Sequence, residues 1–394
     1  MDWFKRKRIF LDYASATPVL PAVRQVMEQY WSKNFYNASA IYAAGVSVKK
    51  AIEHDRARMA RMLGVSPNGV IFTAGGTESD NLAVLGVFEK SLEIIKKPHI
   101  IISAIEHPAV TAAAAEVVRR GGEMSTCEVN EEGVISIAAL KKLLKENTVL
   151  VSIALANHEI GTIQPIAKIG RLLSEFRKTR HSAYPYLHTD ASQAPSYLDV
   201  SIDSLHADLF TLDAAKIYGP KGIGLLVARR GVKIHPVIFG GGQEGGRRAG
   251  TANPALIAGF ALALEIVSKD RAKESRRLEN LRQSFIESIK TCLPEIVVNG
   301  PTVIRLPNIA SVSVPGVMTE FILLKLDQAG MMVSVGSACS YDEKISGSPV
   351  IRALGKPELS ESTLRFSFGR FTTRQDVRQA AQIFCRVACS MVKY

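Results

Sequence analysis

The chain has 394 residues, 47% of them hydrophobic and 22% charged, and a net charge of 49 − 37 = +12. That length is too great for one compact core and points to two domains, and the composition is that of an ordinary globular protein. No apolar run approaches the ~20 residues of a membrane span, and the basic residues 1–7 lack the apolar stretch of a signal peptide behind them, so a cytoplasmic protein is expected.

Five cysteines, at 127, 292, 339, 385 and 389, are few, odd in number and widely spaced, which argues against a disulfide framework. Cys385 and Cys389 stand four apart; with no His or third Cys near them in the chain, they read as buried helix residues rather than metal ligands. The basic balance suits acidic proteins, nucleic acid or phosphate ligands. Without a nucleic-acid-binding motif, most of it reads as solvated surface, and no direct nucleic-acid contact is expected.

In chain order, residues 70–73, 99–103, 148–154, 186–189 and 208–212 read as strands. Helical stretches at 78–90, 108–120 and 165–180 lie between them. This alternation predicts a mostly parallel sheet covered by helices on both faces. Ligands of such sheets sit beyond the C-terminal strand ends, which singles out Gly75-Gly76-Thr77, His107, Asn157, Asp190 and Lys216. The pattern changes near Asn253–Pro254. A long helix to about residue 291 is followed by β-like 295–299 and 309–314, a helix near 320–328, β-like 331–335 and 363–368, and a last amphipathic helix. Its apolar face carries Val377, Ala380, Phe384, Val387 and Met391. The expected division is a segment 1–20 packing with the small domain, a large domain 21–253, and a small α+β domain 254–394.

Four places carry candidate chemistry. In Phe72-Thr-Ala-Gly-Gly-Thr-Glu-Ser-Asp80, the glycines let the backbone approach a ligand, and Thr77 can cap a helix while offering donors to an anion. A plain strand–turn–helix explains the same residues. Lys216 precedes a Gly-Pro turn, and a lysine held at a strand end in a cleft can form a Schiff base, although a lone lysine is usually a surface charge. Asp190, 26 residues earlier in His188-Thr-Asp-Ala-Ser-Gln193, suits either a helix cap or the partner of a protonated pyridine nitrogen. Gln193 could donate to a ring oxygen. Val335-Gly-Ser-Ala-Cys-Ser340 sets Cys339 in small residues before a polar run, unlike the setting of a buried structural cysteine.

Together these stretches resemble the cysteine desulfurases, pyridoxal-phosphate (PLP) enzymes of fold type I in the class V aminotransferase group. The resemblance runs from Leu11-Asp-Tyr13 to Leu364-Arg-Phe-Ser-Phe-Gly-Arg370. It rests on Thr77-Glu-Ser-Asp-Asn81, Glu106-His107, Asn157-His-Glu-Ile-Gly161, Lys216-Ile-Tyr-Gly-Pro-Lys-Gly222, Gly336-Ser-Ala-Cys339 and Ile351-Arg-Ala-Leu-Gly355. The serine-rich cysteine segment resembles the group with a long mobile loop. The resemblance implies that Lys216 carries PLP and moves the substrate Cα proton, and that Asp190 and Gln193 hold the ring. It implies that His107 stacks on the ring and assists proton transfer, and that Gly76 and Thr77 bind the phosphate. Thr251 would reach the phosphate of a neighbouring subunit, which implies a homodimer, and Asn157 and Arg365 would hold the substrate carboxylate. L-Cysteine would then give L-alanine, with Cys339 taking the sulfur as a persulfide for an iron–sulfur scaffold or a tRNA-thiolation relay. Selenocysteine lyase or another class V PLP enzyme, or a degenerate non-catalytic sulfur-transfer scaffold of the same fold, are the alternatives.

The chain departs from that pattern ahead of the lysine. Asp213 and Ala215 stand where the resemblance leads one to expect serine and histidine on the phosphate. A carboxylate there must turn away, be protonated, or be offset by a cation, with Arg247 and Arg248 as candidates. Gln243 and Tyr42 also replace residues that are histidine in the pattern.

Overall fold

The computed structural model describes residues 8–336 and 347–392. The chain opens with β1 (Ile9–Phe10), α1 (Pro21–Ser32) and α2 (Ala43–Leu63). Strand and helix then alternate: β2 (Val70–Thr73), α3 (Gly76–Ser91), β3 (His99–Ser103), α4 (Pro108–Arg119), β4 (Glu123–Cys127), α5 (Ile137–Leu143), β5 (Thr148–Ser152), α6 (Ile166–Arg180), β6 (Tyr186–Asp190), α7 (Ile202–Leu205), β7 (Leu209–Asp213) and β8 (Gly224–Ala228). Then come α8 (Pro254–Cys292), β9 (Val297–Asn299), β10 (Ile309–Ser313), α9 (Thr319–Gln328), β11 (Met331–Met332), β12 (Ser334–Val335), α10 (Pro349–Ala353), β13 (Thr363–Ser367) and α11 (Arg374–Val392).

The larger sheet has seven strands in the order β2-β8-β7-β6-β5-β3-β4. All neighbours are parallel except β8, which runs antiparallel to both β2 and β7. Strands such as His-Ile-Ile-Ile-Ser (β3) and Thr-Val-Leu-Val-Ser (β5) are buried at every position. That is what a sheet covered on both faces demands. Ile101, Val151, Leu187 and Phe210 pack into the core on one face, and Ile100, Ile102, Leu150 and Leu209 into the core on the other. β4 is one of the two edge strands, and its polar alternation hid it in the sequence.

α8 starts where the sequence changes character: Asn253 accepts from Leu256 N at 3.2 Å as a cap, and Pro254 takes the first helical position. Behind it a four-stranded antiparallel sheet, β12-β13-β10-β9, packs with α8 and α11 around Phe285, Phe366, Phe368 and Phe384. The rings of Phe285 and Phe366 lie 4.7 Å apart. The apolar face expected on the last helix is buried at Val377, Ala380, Phe384 and Val387. The amino-terminal segment touches both halves. β1 pairs in parallel with β11, and Ile9 and Leu11 enter the second core. Thr17 meanwhile bonds Ala215 O and Tyr218 N, beyond β7.

Candidate active site

The C-terminal ends of the parallel strands bring together residues far apart in the chain. β6 ends on Asp190, whose Oδ1 accepts from Ser192 N at 2.9 Å. β7 ends on Asp213, whose Oδ1 accepts from Ala215 N at 2.8 Å and so caps the single turn that carries Lys216. Lys216 is half-buried, and its Nζ donates to Ser15 O at 2.5 Å. Gln193 donates from Nε2 to Ala14 O at 2.9 Å.

His107 caps α4, its Nδ1 accepting from Ala109 N at 3.1 Å. That bond fixes the neutral tautomer with the proton on Nε2. Burial holds the imidazole below its ordinary pKa; Asp190 and Asp213 pull it up and Lys216 pushes it down. Three charged side chains therefore act on one imidazole. His158, edge-on to His107 at 5.3 Å between ring centres, is held well below the ordinary range by burial, with His107, Arg365 and Lys216 adding to the effect.

Arg365 is 4% exposed on β13. It donates to His158 O at 3.0 Å, Asp12 Oδ1 at 2.8 Å and Ser15 Oγ at 2.7 Å, while its Nε is buried without a partner among the described residues. Asn157 is also buried. Its amide donates to Ile105 O at 2.9 Å and accepts from Glu159 N and Ile160 N, both at 2.9 Å, so much of its bonding capacity holds the loop after β5. Thr77 is exposed in the first turn of α3. It is not the cap expected from the sequence: Gly75 holds that place, because the helix begins at Gly76, two residues before the expected start at 78. Thr251 is exposed on the segment before α8. Cys339 lies outside the described residues.

Several residues of the site were not singled out from the sequence. Asp12 and Ser15 tie Arg365 and Lys216 to one short segment, a link across 353 and 201 positions that no local pattern announces. Glu106 is buried, bonded to Ser103 Oγ and to Ala154 N at 2.9 Å, and burial pushes its pKa up to about 8. Asp80 lies 3.7 Å from His188 Nε2, and burial, reinforced by the Asp190 charge, raises it well above the carboxylate range. Glu159 is pushed up to about 7 by burial. It packs so closely on Gly336 that a Cβ there would fall 1.8 Å from its carboxyl carbon.

Residues 9–380 match the family model for class V aminotransferases. A cysteine desulfurase IscS of Dictyoglomus turgidum is 39% identical over 384 residues, covering 97% of this chain and 95% of that protein. The chain belongs to the class V aminotransferases, among the cysteine desulfurases. A solved NifS-like protein superposes with a TM-score of 0.89 at 30% identity over 98% of this chain and all of the other. A structure described as SspA in complex with cysteine matches with a TM-score of 0.80 at 30% identity, over 93% of this chain and all of that one.

Enzymes of this family work with PLP, and the residues at the strand ends fit it. An amine (Lys216), a carboxylate (Asp190) and a neutral imidazole (His107) are the donor set that the ring and its aldehyde require. At the phosphate end, a Cβ on Gly76 would crowd Ser192 Oγ and Asp213 Oδ2, each at 3.3 Å, so glycine leaves room for an anion at the start of α3. Asp213 does not turn away from that place: its Oδ2 accepts from Gly76 N at 3.3 Å. Nor do the two arginines bond it. Arg248 pairs with Glu78 at 2.8 Å, and Arg247 donates to Asn68 O at 2.7 Å and Glu244 O at 3.0 Å. The site thus offers a phosphate its backbone and hydroxyl donors together with one competing carboxylate.

Proposed function

We infer that the protein is a PLP-dependent cysteine desulfurase, which converts L-cysteine to L-alanine and leaves the sulfur on Cys339 as a persulfide. The observation that carries this reading is the placement of Lys216 Nζ at the end of β7, in the shared field of Asp190 and His107. When bound, PLP supplies an electron sink for the Cα–H bond of the substrate.

The chain's own residues would do the rest. Lys216 carries the cofactor and moves the Cα proton at Nζ. Asp190 faces the pyridine nitrogen and Gln193 the ring oxygen. Gly76, Thr77 and Ser192 hold the phosphate. His107, neutral with Nε2 protonated, stacks on the ring and relays a proton at that nitrogen. Arg365 and Asn157 hold the substrate carboxylate, the guanidinium as the charged partner. Cys339 attacks the substrate sulfur as a thiolate. Thr251 reaches the phosphate of a second subunit. A groove of about 710 Å³ lined by Lys49, Arg56, Glu244 and Ala252 lies next to it and suits a homodimer contact. The persulfide passes to an acceptor protein, an iron–sulfur scaffold or a tRNA-thiolation relay, in the cytoplasm.

The test is cysteine-dependent alanine and sulfide formation by wild type, Lys216→Ala and Cys339→Ser. Lys216→Ala loses both products by roughly 10³-fold or more while its far-ultraviolet circular dichroism is unchanged. Cys339→Ser loses sulfide release under reductant, and equal release by wild type and Cys339→Ser would exclude Cys339 as the sulfur acceptor.

A further inference from the structure

A second group of sulfur atoms lies outside the site. α8 ends on Cys292, and its Sγ stands 3.5 Å from Sγ of Cys389 on α11. Cys385, one turn earlier on α11, also hydrogen-bonds Cys292. The fold therefore supplies the third thiol that the sequence spacing of Cys385 and Cys389 did not reveal. All three are half-buried at the margin of the second core rather than sealed inside it as the sequence suggested. A small reagent can reach them there, whereas the proposed active site stands on the strand ends of the larger sheet.

We propose that Cys292 and Cys389 are a dithiol that closes to a disulfide by exchange with a low-molecular-weight disulfide, joining the end of α8 to α11. The thiolate of Cys389 attacks the reagent's S–S bond, forms a mixed disulfide and expels one thiolate. The thiolate of Cys292 then attacks the Cys389 sulfur and expels the second. Two protein thiols are oxidised, one small disulfide is reduced to two thiols, and the two protein protons end on the expelled thiolates. Two sulfur atoms at 3.5 Å are about 1.5 Å from disulfide bonding distance. Burial raises the pKa of Cys292, so exchange quickens as the pH rises toward the thiol range. The bond would close a loop across 97 positions, which restricts the unfolded chain strongly.

The experiment uses the full chain in a Cys339→Ser background, so that Cys339 cannot enter the exchange. Oxidised glutathione is added to the folded, reduced protein at pH 8 and again in urea. Non-reducing peptide mapping of the folded sample is expected to show a Cys292–Cys389 linked peptide. Two titratable thiols should be lost, the thermal midpoint should rise by several degrees, and dithiothreitol should reverse all three. Cys385→Ser keeps the link; Cys292→Ser and Cys389→Ser lose it. Glutathione adducts without the cross-link would overturn the proposal, as would a cross-link that forms only in urea. If a serine variant fails to fold, the mapping of the parent protein in its folded and urea-treated states still decides.

Discussion

Asp190 and Asp213 are the same device built twice. Each is the last residue of a strand, the two strands are parallel neighbours, and each carboxylate accepts the N–H two residues on. They differ in what lies beyond that turn. Asp190 stands in the field of His107 and beside Glu106 and Asp80, both raised by burial, where a carboxylate could steady a positive ring nitrogen. Asp213 reaches Gly76 N at the start of α3, where the phosphate of the proposed cofactor would need the same donor. On the proposed function, one carboxylate would oppose a cation and the other an anion. Local backbone structure makes the strand-end acid, and the facing element decides whether it helps.

The largest effect should come from the helpful member. Asp190→Ala removes the proposed partner of the ring nitrogen and is expected to lower alanine formation by about 10²-fold or more, while Asp190→Glu restores part of it. If Asp190→Ala kept wild-type turnover, the contrast between the two acids would collapse. Asp213 should respond in the opposite direction and more weakly. Asp213→Asn keeps an acceptor for Ala215 N and removes the charge. Two charges ~4 Å apart in water-like screening repel by about 1 kcal/mol, so PLP should bind the apoprotein about fivefold more tightly. Fluorescence titration with PLP reads this directly, and inorganic phosphate should compete better in the variant. Equal or weaker PLP binding by Asp213→Asn would mean that this carboxylate does not meet the phosphate.

How much of this was legible in the sequence follows from the reach of each signal. β2 and β3 match the reading residue for residue, since runs such as Val-Ile-Phe-Thr and His-Ile-Ile-Ile-Ser identify buried strands without help from their neighbours. The convergence of Lys216, Asp190 and His107 was legible because each stands at or after a strand end, and strand ends converge in this architecture. The antiparallel course of β8 was not legible, because nothing within Gly224–Ala228 encodes direction. Nor could the sequence say that Asp213 would face Gly76 N, or that the arginines proposed to offset it would be held by Glu78 and by the carbonyls of Asn68 and Glu244. Apart from Glu244, three positions from Arg247, those are choices among partners 137 to 179 positions apart. The service of Asp12 and Ser15 to Arg365 and Lys216 was hidden for the same reason.

The smallest effect concerns the proton that Glu106 holds beside Asp190. Burial raises its pKa from 4.5 to about 8, and the Asp190 charge adds to the rise. A carboxyl raised on folding binds its proton in the native state after the unfolded chain has released it. Its contribution is then fully present below about pH 4.5 and is lost as the pH climbs toward 8. His188, lowered to about 4, works in the opposite sense between about 4 and 6.5, and Glu159, raised to about 7, also titrates in this range, so the wild-type curve alone mixes them. The difference between Glu106→Gln and wild type isolates Glu106, because His188 and Glu159 are common to both. The thermal midpoint of Glu106→Gln, taken relative to wild type, should rise by a few degrees between pH 5 and pH 8.5, most of it before pH 8. In an Asp190→Asn background the climb should end at lower pH, because one of the charges that hold the proton on Glu106 is gone. A difference that stays flat across the window would show that Glu106 is ionised in the folded protein, and that Asp190 and Asp213 share their cleft with a third negative charge.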